Sequence, residues 1–229
     1  MKDFTEFEQK INIEFDNKDL LKTAFTHRSF VNENRRIAKE HNERLEFLGD
    51  AVLELAVTDF LYNKYPGKPE GELTAYRAAL VNTESIAAAA GELGMNDFLL
   101  LSKGESKDTG RARHSILANS FEALLGAIYL DKGYDVVEQF IGKMLYGKIE
   151  GVVENRLWQD AKSHFQEVAQ EHAGVTPSYK TVEQSGPDHD KKFVVAVFLG
   201  SEQVALGSGR SKQAAEQAAA KKAVEVKNW

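Results

Sequence analysis

The chain has 229 residues, 42% hydrophobic and 28% charged, with a formal charge of −6 and no cysteine. That is enough apolar material for one large or two smaller cores, and it excludes disulfides and thiolate metal sites, so any metal must be held by oxygen or histidine. No apolar run is long enough to span a bilayer, and Lys2, Asp3, Glu6 and Glu8 interrupt any signal-peptide pattern, so no membrane and a cytoplasmic location are the default expectations. The charge is uneven: residues 1–159 hold 20 Lys+Arg against 26 Asp+Glu, whereas residues 160–229 hold 9 and 9. A negative total argues against nucleic acid as a partner, but a negative first part is also how a carboxylate metal site looks, so local placement decides.

The first 150 residues read as successive helices. A short amphipathic piece, Phe4 to Ile11, is followed by Asn17 to Phe25 and a polar loop from Asn32 to Glu40. The period predicts a helix from Asn42 to Tyr65, stopped by Pro66-Gly67, then helices from Glu72 to Val81 and from Thr83 to Gly94. Ser102 to Arg113 is a Gly-, Ser- and charge-rich loop, Ser115 to Leu130 a nearly all-apolar helix, and Val136 to Val153 the last helix of this part. From Asp160 the pattern changes. Ala161 to His172 is helical, residues 178–184 and Phe193 to Leu199 alternate as strands, Gln203 to Gly207 is a third strand, and Gln213 to Val226 an Ala-rich helix. The fold class is therefore multidomain: an all-α domain over 1–153, then an α+β domain of order α-β-β-β-α over 160–229, its two helices on one face of the sheet.

The helix at 42–65 carries the sharpest pattern. At about 100° per residue, Glu43, Glu46, Asp50 and Glu54 fall within one arc of roughly 80°, with Leu45, Leu48, Val52 and Leu55 opposite. Such an arc is an ordinary solvated face or a place for a cation. No Lys or Arg breaks it, although like charges at i,i+4 repel, and Phe47 sits on its edge, which points to a partner on the ring. On the 115–130 helix the exception to apolarity is a wedge of Ser115, Asn119, Glu122 and Gly126. A carboxylate on so apolar a helix needs either a buried partner such as Arg77 or a metal. Glu46 and Asp50 with Asn119 and Glu122 would form an oxygen cage for a hard cation, Mg²⁺ or Mn²⁺, able to activate water and stabilise charge on a phosphodiester. No Gly-x-Ser-x-Gly and no helical His pair offers competing chemistry.

In the second part, Gly209-Arg210-Ser211-Lys212 places basic and hydroxyl groups at a helix start, either a phosphate contact or a solvated cap. His189, Lys191 and Lys192 lie in an interstrand loop, and Gln166 on the first helix.

His41-Asn-Glu-Arg-Leu-Glu-Phe-Leu-Gly-Asp50 resembles the signature of bacterial ribonuclease III, and Ile116 to Asp131 resembles that family's second motif. Residues 160–226, with Gly186-Pro187, Lys191-Lys192-Phe193 and Gly209-Arg-Ser-Lys, resemble a double-stranded RNA-binding domain. The resemblance implies a homodimeric endonuclease of the cytoplasm that cuts both strands of double-stranded RNA with Mg²⁺, or Mn²⁺ in its place. It further implies 5′-phosphate and 3′-hydroxyl products with short 3′ overhangs, and a role in rRNA and mRNA processing. Carried onto this chain, it makes Glu46, Asp50, Asn119 and Glu122 the metal ligands, with Asp50 and Glu122 catalytic. Glu43 and Glu70 become secondary acids near the substrate or subunit interface, and Phe47 the aromatic docked into the partner subunit. Gln166, His189, Lys191, Arg210 and Lys212 would face RNA, the minor grooves and phosphates being read by shape, and Arg111 to His114 would add contacts. One departure stands out: the family usually has Asp where this chain has Asn119. An amide keeps a carbonyl ligand but loses a charge, which leaves a double-stranded RNA-binding protein with weak or lost cleavage as the alternative.

Overall fold

A computed structural model describes residues 2–107, 109–155, 158, 160–187 and 191–229. The chain separates into two compact units, Met1–Trp158 and Gln159–Trp229. Among the described residues no helix is long and apolar enough to cross a membrane.

The first unit is all helical: α1 (Thr5–Ile11), α2 (Lys18–Ala24), α3 (Arg28–Glu33), α4 (Glu43–Lys64), α5 (Glu70–Leu80), α6 (Thr83–Glu92), α7 (Arg111–Lys132), α8 (Tyr134–Leu145) and α9 (Ile149–Glu154). Phe4, Phe7, Phe25 and Phe98 meet ring to ring, Phe7 edge-on to Phe25 with centroids 4.8 Å apart. This cluster buries α1 and α2 against the 98–100 segment, where His27 N donates to Leu100 O at 3.1 Å. Glu8 is buried beneath them. Its carboxylate accepts the Phe15 N–H at 2.7 Å and pairs with Lys18 at 2.7 Å, so the charge is compensated where it is desolvated.

α4 and α7 form the centre of this unit, and they touch backbone to backbone. A Cβ on Gly49 would lie 1.7 Å from the Glu122 carbonyl oxygen, and one on Gly126 would lie 2.3 Å from that of Leu45. No side chain fits between the two helices at this crossing. Around it Leu53, Ala56, Val57, Phe121, Leu124 and Leu125 are buried.

Several expectations for this unit need correction. Residues 28–33 form α3 rather than leading into a loop, because the His27 ring accepts the Ser29 N–H and caps a helix too short to show a period. The 102–113 stretch ends earlier than its Gly and Ser content implies: a 3₁₀ turn covers Glu105–Lys107 and α7 starts at Arg111. The expected helix from Val136 to Val153 breaks at Tyr146–Lys148. There Tyr146 stacks on Phe60 at 3.8 Å and its hydroxyl donates to the Ala56 carbonyl at 3.1 Å, anchoring the bend on α4. Leu55, expected to face inward, is 58% exposed.

The second unit holds α10 (Ala161–Ala173), strands β1 (Ser178–Ser185), β2 (Lys192–Leu199) and β3 (Glu202–Gly209), and α11 (Lys212–Lys227). The sheet is antiparallel in the order β1-β2-β3. α11 lies on β2 and β3 and α10 packs on α11, over a core of Phe165, Val197, Ala205, Ala219, Ala220 and Ala223. The Ala-rich face is what lets α11 approach: a Cβ on Gly207 would meet the Ala219 nitrogen at 2.1 Å. β1 does not alternate in burial as expected. It is an edge strand bulged between Thr181 and Glu183, with only Tyr179 partly covered. Trp229 stacks on the His172 ring at 5.2 Å.

Candidate active site

The four oxygen-bearing residues of the sequence pattern come from the two helices joined at the glycine crossing. On α4, Glu46 and Asp50 flank Gly49; on α7, Glu122 lies between Asn119 and Gly126. Placing Gly49 against the Glu122 backbone therefore brings the acids of one helix to those of the other. Glu122 is held further by its neighbours, since Phe121 and Ala123 on either side are fully buried. Lengthwise position is set by Asn42, just before α4. Its amide donates to Ala24 O and to Ser120 Oγ, both at 3.3 Å, and its N–H donates to Thr26 O at 2.9 Å.

Charge divides the acidic arc into two classes. Its ends are paired: Glu43 with Arg28 at 3.1 Å, and Glu54 with Arg77 at 3.4 Å. Arg77 also donates to Thr58 at 2.8 Å, so it belongs to Glu54 and is not the buried partner considered for Glu122. Among the described residues Glu46, Asp50 and Glu122 have no basic partner. The Glu122 carboxyl is pushed up to about 7, first by burial and then by the charges of Asp50 and Glu46. Glu46 is raised as well, by burial and then by Glu43, while the Asn119 side chain acts as a hydrogen-bond donor in the opposite sense and Asp50 adds to the rise. The upward shifts of Glu46 and Glu122 mark a site in which negative charge is concentrated and left without a basic partner.

The donor set is all oxygen, mostly anionic, and fits a hard divalent cation. Among the described residues no three His, Cys, Asp or Glu side chains stand close enough together to hold an ion. The carboxylates sense one another without converging, as expected of like charges held on a fixed backbone.

A cleft of about 280 Å³ opens on this site, lined by Glu43, Glu46 and Asn119 together with His27, Asn42, Glu105 and Ser115. Asp50 and Glu122 lie outside its lining, and their link to it is the electrostatic one with Glu46. Ser115 belongs to the polar wedge that the sequence shows on this helix, whereas Glu105, in an irregular loop, had no signal that singles it out for this cleft. Glu70 stands apart at the start of α5, exposed and accepting from the Thr74 hydroxyl at 3.0 Å.

Phe47 is 82% exposed on α4. It borders a groove of about 870 Å³ that also includes Leu20, Leu45, Leu48 and Leu130. Leu130, expected on the apolar body of α7, is exposed here. In the second unit Gln166 is exposed on α10, Lys191 precedes β2, and Arg210 and Lys212 bracket Ser211, whose hydroxyl accepts the Ala214 N–H at 3.1 Å as the cap of α11. His189 lies outside the described residues. Arg113 and His114 are in the first turn of α7 rather than in a loop, and Arg113 donates to Glu105 O at 2.6 Å.

Fold and site together define a two-part chain, a helical domain centred on an acid-lined crossing followed by an αβββα domain of the kind that binds duplex RNA. A model of the Ribonuclease-III-like family matches residues 17–149, and one of the double-stranded RNA binding motif matches residues 161–227. The chain is 48% identical over 213 residues to Ribonuclease 3 of Streptococcus pneumoniae strain P1031, covering 93% of this chain and 91% of that protein. With the enzyme of strain D39 the identity is 47% over 221 residues, covering 96% and 95%. The nuclease domain of ribonuclease III from Campylobacter jejuni, a structure concerned with flexibility in a region involved in dimer formation, superposes with a TM-score of 0.56. It is 40% identical and covers 62% of this chain and 98% of that one. This chain belongs to the ribonuclease III family and is an endoribonuclease of that type, with a double-stranded RNA-binding domain after the nuclease domain.

Proposed function

We propose that the protein hydrolyses phosphodiesters in both strands of double-stranded RNA, leaving 5′-phosphate and 3′-hydroxyl ends, as in rRNA and mRNA processing in the cytoplasm. The observation that carries this reading is the uncompensated trio Glu46, Asp50 and Glu122, locked across two helices at a glycine contact. Glu46, Asp50, Asn119 and Glu122 would hold Mg²⁺, with Mn²⁺ as a substitute. When bound, the ion supplies a water activated as nucleophile and stabilises charge on the phosphate oxygens. The residues fix where that chemistry happens. Glu122, raised to about 7, gives up its proton as the site fills, and Asp50 and Glu46 hold their carboxylates on the opposite helix. The water oxygen bonds to phosphorus and gives up a proton to solvent, the bond from phosphorus to the 3′ oxygen breaks, and that oxygen takes up a proton from solvent and leaves as a hydroxyl. Glu43 and Glu70 serve as outer acids, the first kept in place by Arg28. Gln166, His189, Lys191, Arg210 and Lys212 are read as the duplex-binding groups of the second domain, the first two in minor grooves and the basic ones on phosphates. Domain limits of 1–153 and 160–229 remain part of this reading.

Incubating the protein with long duplex RNA and Mg²⁺ tests it: fragments with 5′-phosphate ends are expected. A second reading, a double-stranded RNA-binding protein with weak or lost cleavage, has one observation in its favour. Asn119 offers Glu46 a hydrogen-bond donor where a further carboxylate would add charge. Duplex left intact under both Mg²⁺ and Mn²⁺ would establish that alternative. Under the first reading Asn119→Asp raises Mg²⁺ affinity by about tenfold, the change expected from one added ligand charge worth roughly 1.4 kcal/mol. A metal titration of the cleavage rate measures it.

The exposed ring of Phe47 beside an apolar groove supports a homodimer. Phe47→Asp is expected to shift the protein from dimer to monomer at micromolar concentration in sedimentation. An unchanged mass would remove Phe47 from the interface.

A further inference from the structure

We propose that the loop of residues 34–41 is a phosphate clamp for duplex RNA, with Arg35, Arg36 and Lys39 as its contacts. This rests on the reading above that the protein binds double-stranded RNA. All three side chains are exposed. Among the described residues none of them pairs with an acid, as Lys18, Arg28, Lys64, Lys68, Arg77 and Lys132 do; Lys10, Lys22, Arg44 and Lys143 are unpaired too but scattered, and it is the clustering of three that sets this loop apart. Three unpaired cations within five residues are unexpected on a chain of charge −6 unless something anionic is to be met there.

The loop is also built rather than loose. The Asn34 carbonyl accepts the N–H groups of Ile37 at 2.8 Å and Ala38 at 3.0 Å, and the Asn34 amide donates to Phe30 O at 3.0 Å. Ala38 is buried, and Asn42 pins the far end through its N–H to Thr26 O. On a fixed backbone only the side chains remain to be ordered when the cations bind.

Position supplies the reason. Lys39 and Glu43 line the same groove, and Glu43 lines the acidic cleft with Glu46 and Asn119. The clamp thus adjoins carboxylates that by themselves repel a polyanion. Two acids flank it, Glu33, whose carboxylate accepts the Lys103 N–H at 3.0 Å, and Glu40. Residues 34–41 nevertheless keep a net positive charge, an electropositive flank that offsets the field of the acidic cleft for an approaching phosphate backbone. Ile37, 60% exposed between Arg36 and Lys39, is an apolar contact suited to a ribose face.

Fluorescence anisotropy of a labelled RNA duplex of roughly 20 base pairs, enough for the ~16 that the second domain spans, tests the clamp. It is measured on the full chain in EDTA, so that RNA stays intact, over a range of KCl concentrations. The triple variant R35Q/R36Q/K39Q is expected to bind at least about tenfold more weakly at moderate salt. Its plot of log affinity against log salt should be shallower by about 2, since each phosphate contact contributes roughly 0.7–0.9. R35K/R36K, which keeps the charges, should retain the slope of the unaltered protein, and all variants should keep its sedimentation and melting behaviour. An unaltered slope and affinity in the triple variant would overturn the proposal. So would weaker binding accompanied by a changed oligomeric mass, because Lys39 shares a groove with Phe47 and the loop would then serve subunit contact. If the unaltered protein itself fails to bind the duplex, the reading beneath has failed and the clamp falls with it.

Discussion

Glu122→Gln is expected to lower the cleavage rate at saturating Mg²⁺ by roughly a thousandfold or more, about 4 kcal/mol of transition-state stabilisation, while duplex affinity stays within about twofold. The variant keeps the shape of the side chain and removes only the charge, so weakened RNA binding of similar size would mean that Glu122 acts on the fold instead. The same residue sets a pH dependence. With its carboxyl at about 7, a cation must displace a proton below that pH, so at subsaturating Mg²⁺ the rate should rise with pH and level off above about 7. Raising Mg²⁺ should move that midpoint down, and a midpoint indifferent to metal would reject the assignment. Stability runs the other way. A carboxyl whose pKa is raised from the ordinary 4.5 to about 7 takes up a proton on folding. Without metal, stability is therefore fullest below about 4.5 and declines as pH rises through 7. After discounting for solvent screening the decline is on the order of 1–2 kcal/mol. Chemical denaturation at several pH values measures it, and in Glu122→Gln the slope should flatten.

Gly49→Ala should be the most damaging small substitution in the first unit. Alanine is the better helix former by about 1 kcal/mol, and on an open helix that term would win. Gly71, near the start of α5 with nothing within 4 Å of an added Cβ, is such a place, so Gly71→Ala should be neutral or stabilising. At Gly49 the new methyl would sit 1.7 Å from a backbone oxygen, which no rotamer can relieve. The helices must separate, at roughly 3 kcal/mol or more, lowering the melting temperature by about 6–12 °C in a domain of this size. Because the obstructing oxygen belongs to Glu122, cleavage should fall further than the folded fraction does. A melting temperature equal to that of the unaltered protein would show that the crossing can open without penalty.

Much of the site was legible before the structure because its parts obey a period. The carboxylates at 46 and 50, and the wedge at 119 and 122, stand out against apolar helices, and α4 and α7 proved to be the neighbours that carry them. What could not be read was what joins them. Gly126 counted merely as a polar-side residue and Gly49 carried no periodic signal, since contact between two backbones leaves no pattern of side chains. The split of the arc was equally hidden, because whether Glu54 is free depends on Arg77 arriving from α5. Local tertiary contacts also overrode the period where it failed. α3 is one turn and a half with a histidine cap, and the break after α8 follows a tyrosine seated on another helix. Leu55 reads as core on a wheel, yet α4 has more apolar surface than the unit covers.

Asn42 has a consequence for how fast the site can work. The glycine contact prevents α4 and α7 from drawing closer, but it would allow them to slide. The Asn42 amide, tied to Ser120 on α7 and Ala24 on α2, removes that freedom, and Ser120 directly follows Asn119. With approach prevented and sliding restrained, the spacing of the carboxylates is adjusted chiefly by side-chain rotation. Partly exposed carboxylates rotate in picoseconds to nanoseconds, whereas helices shift in microseconds or longer. Under the proposed function, filling the site would then be a local event of side-chain rotation, with the backbone of the two helices already in place.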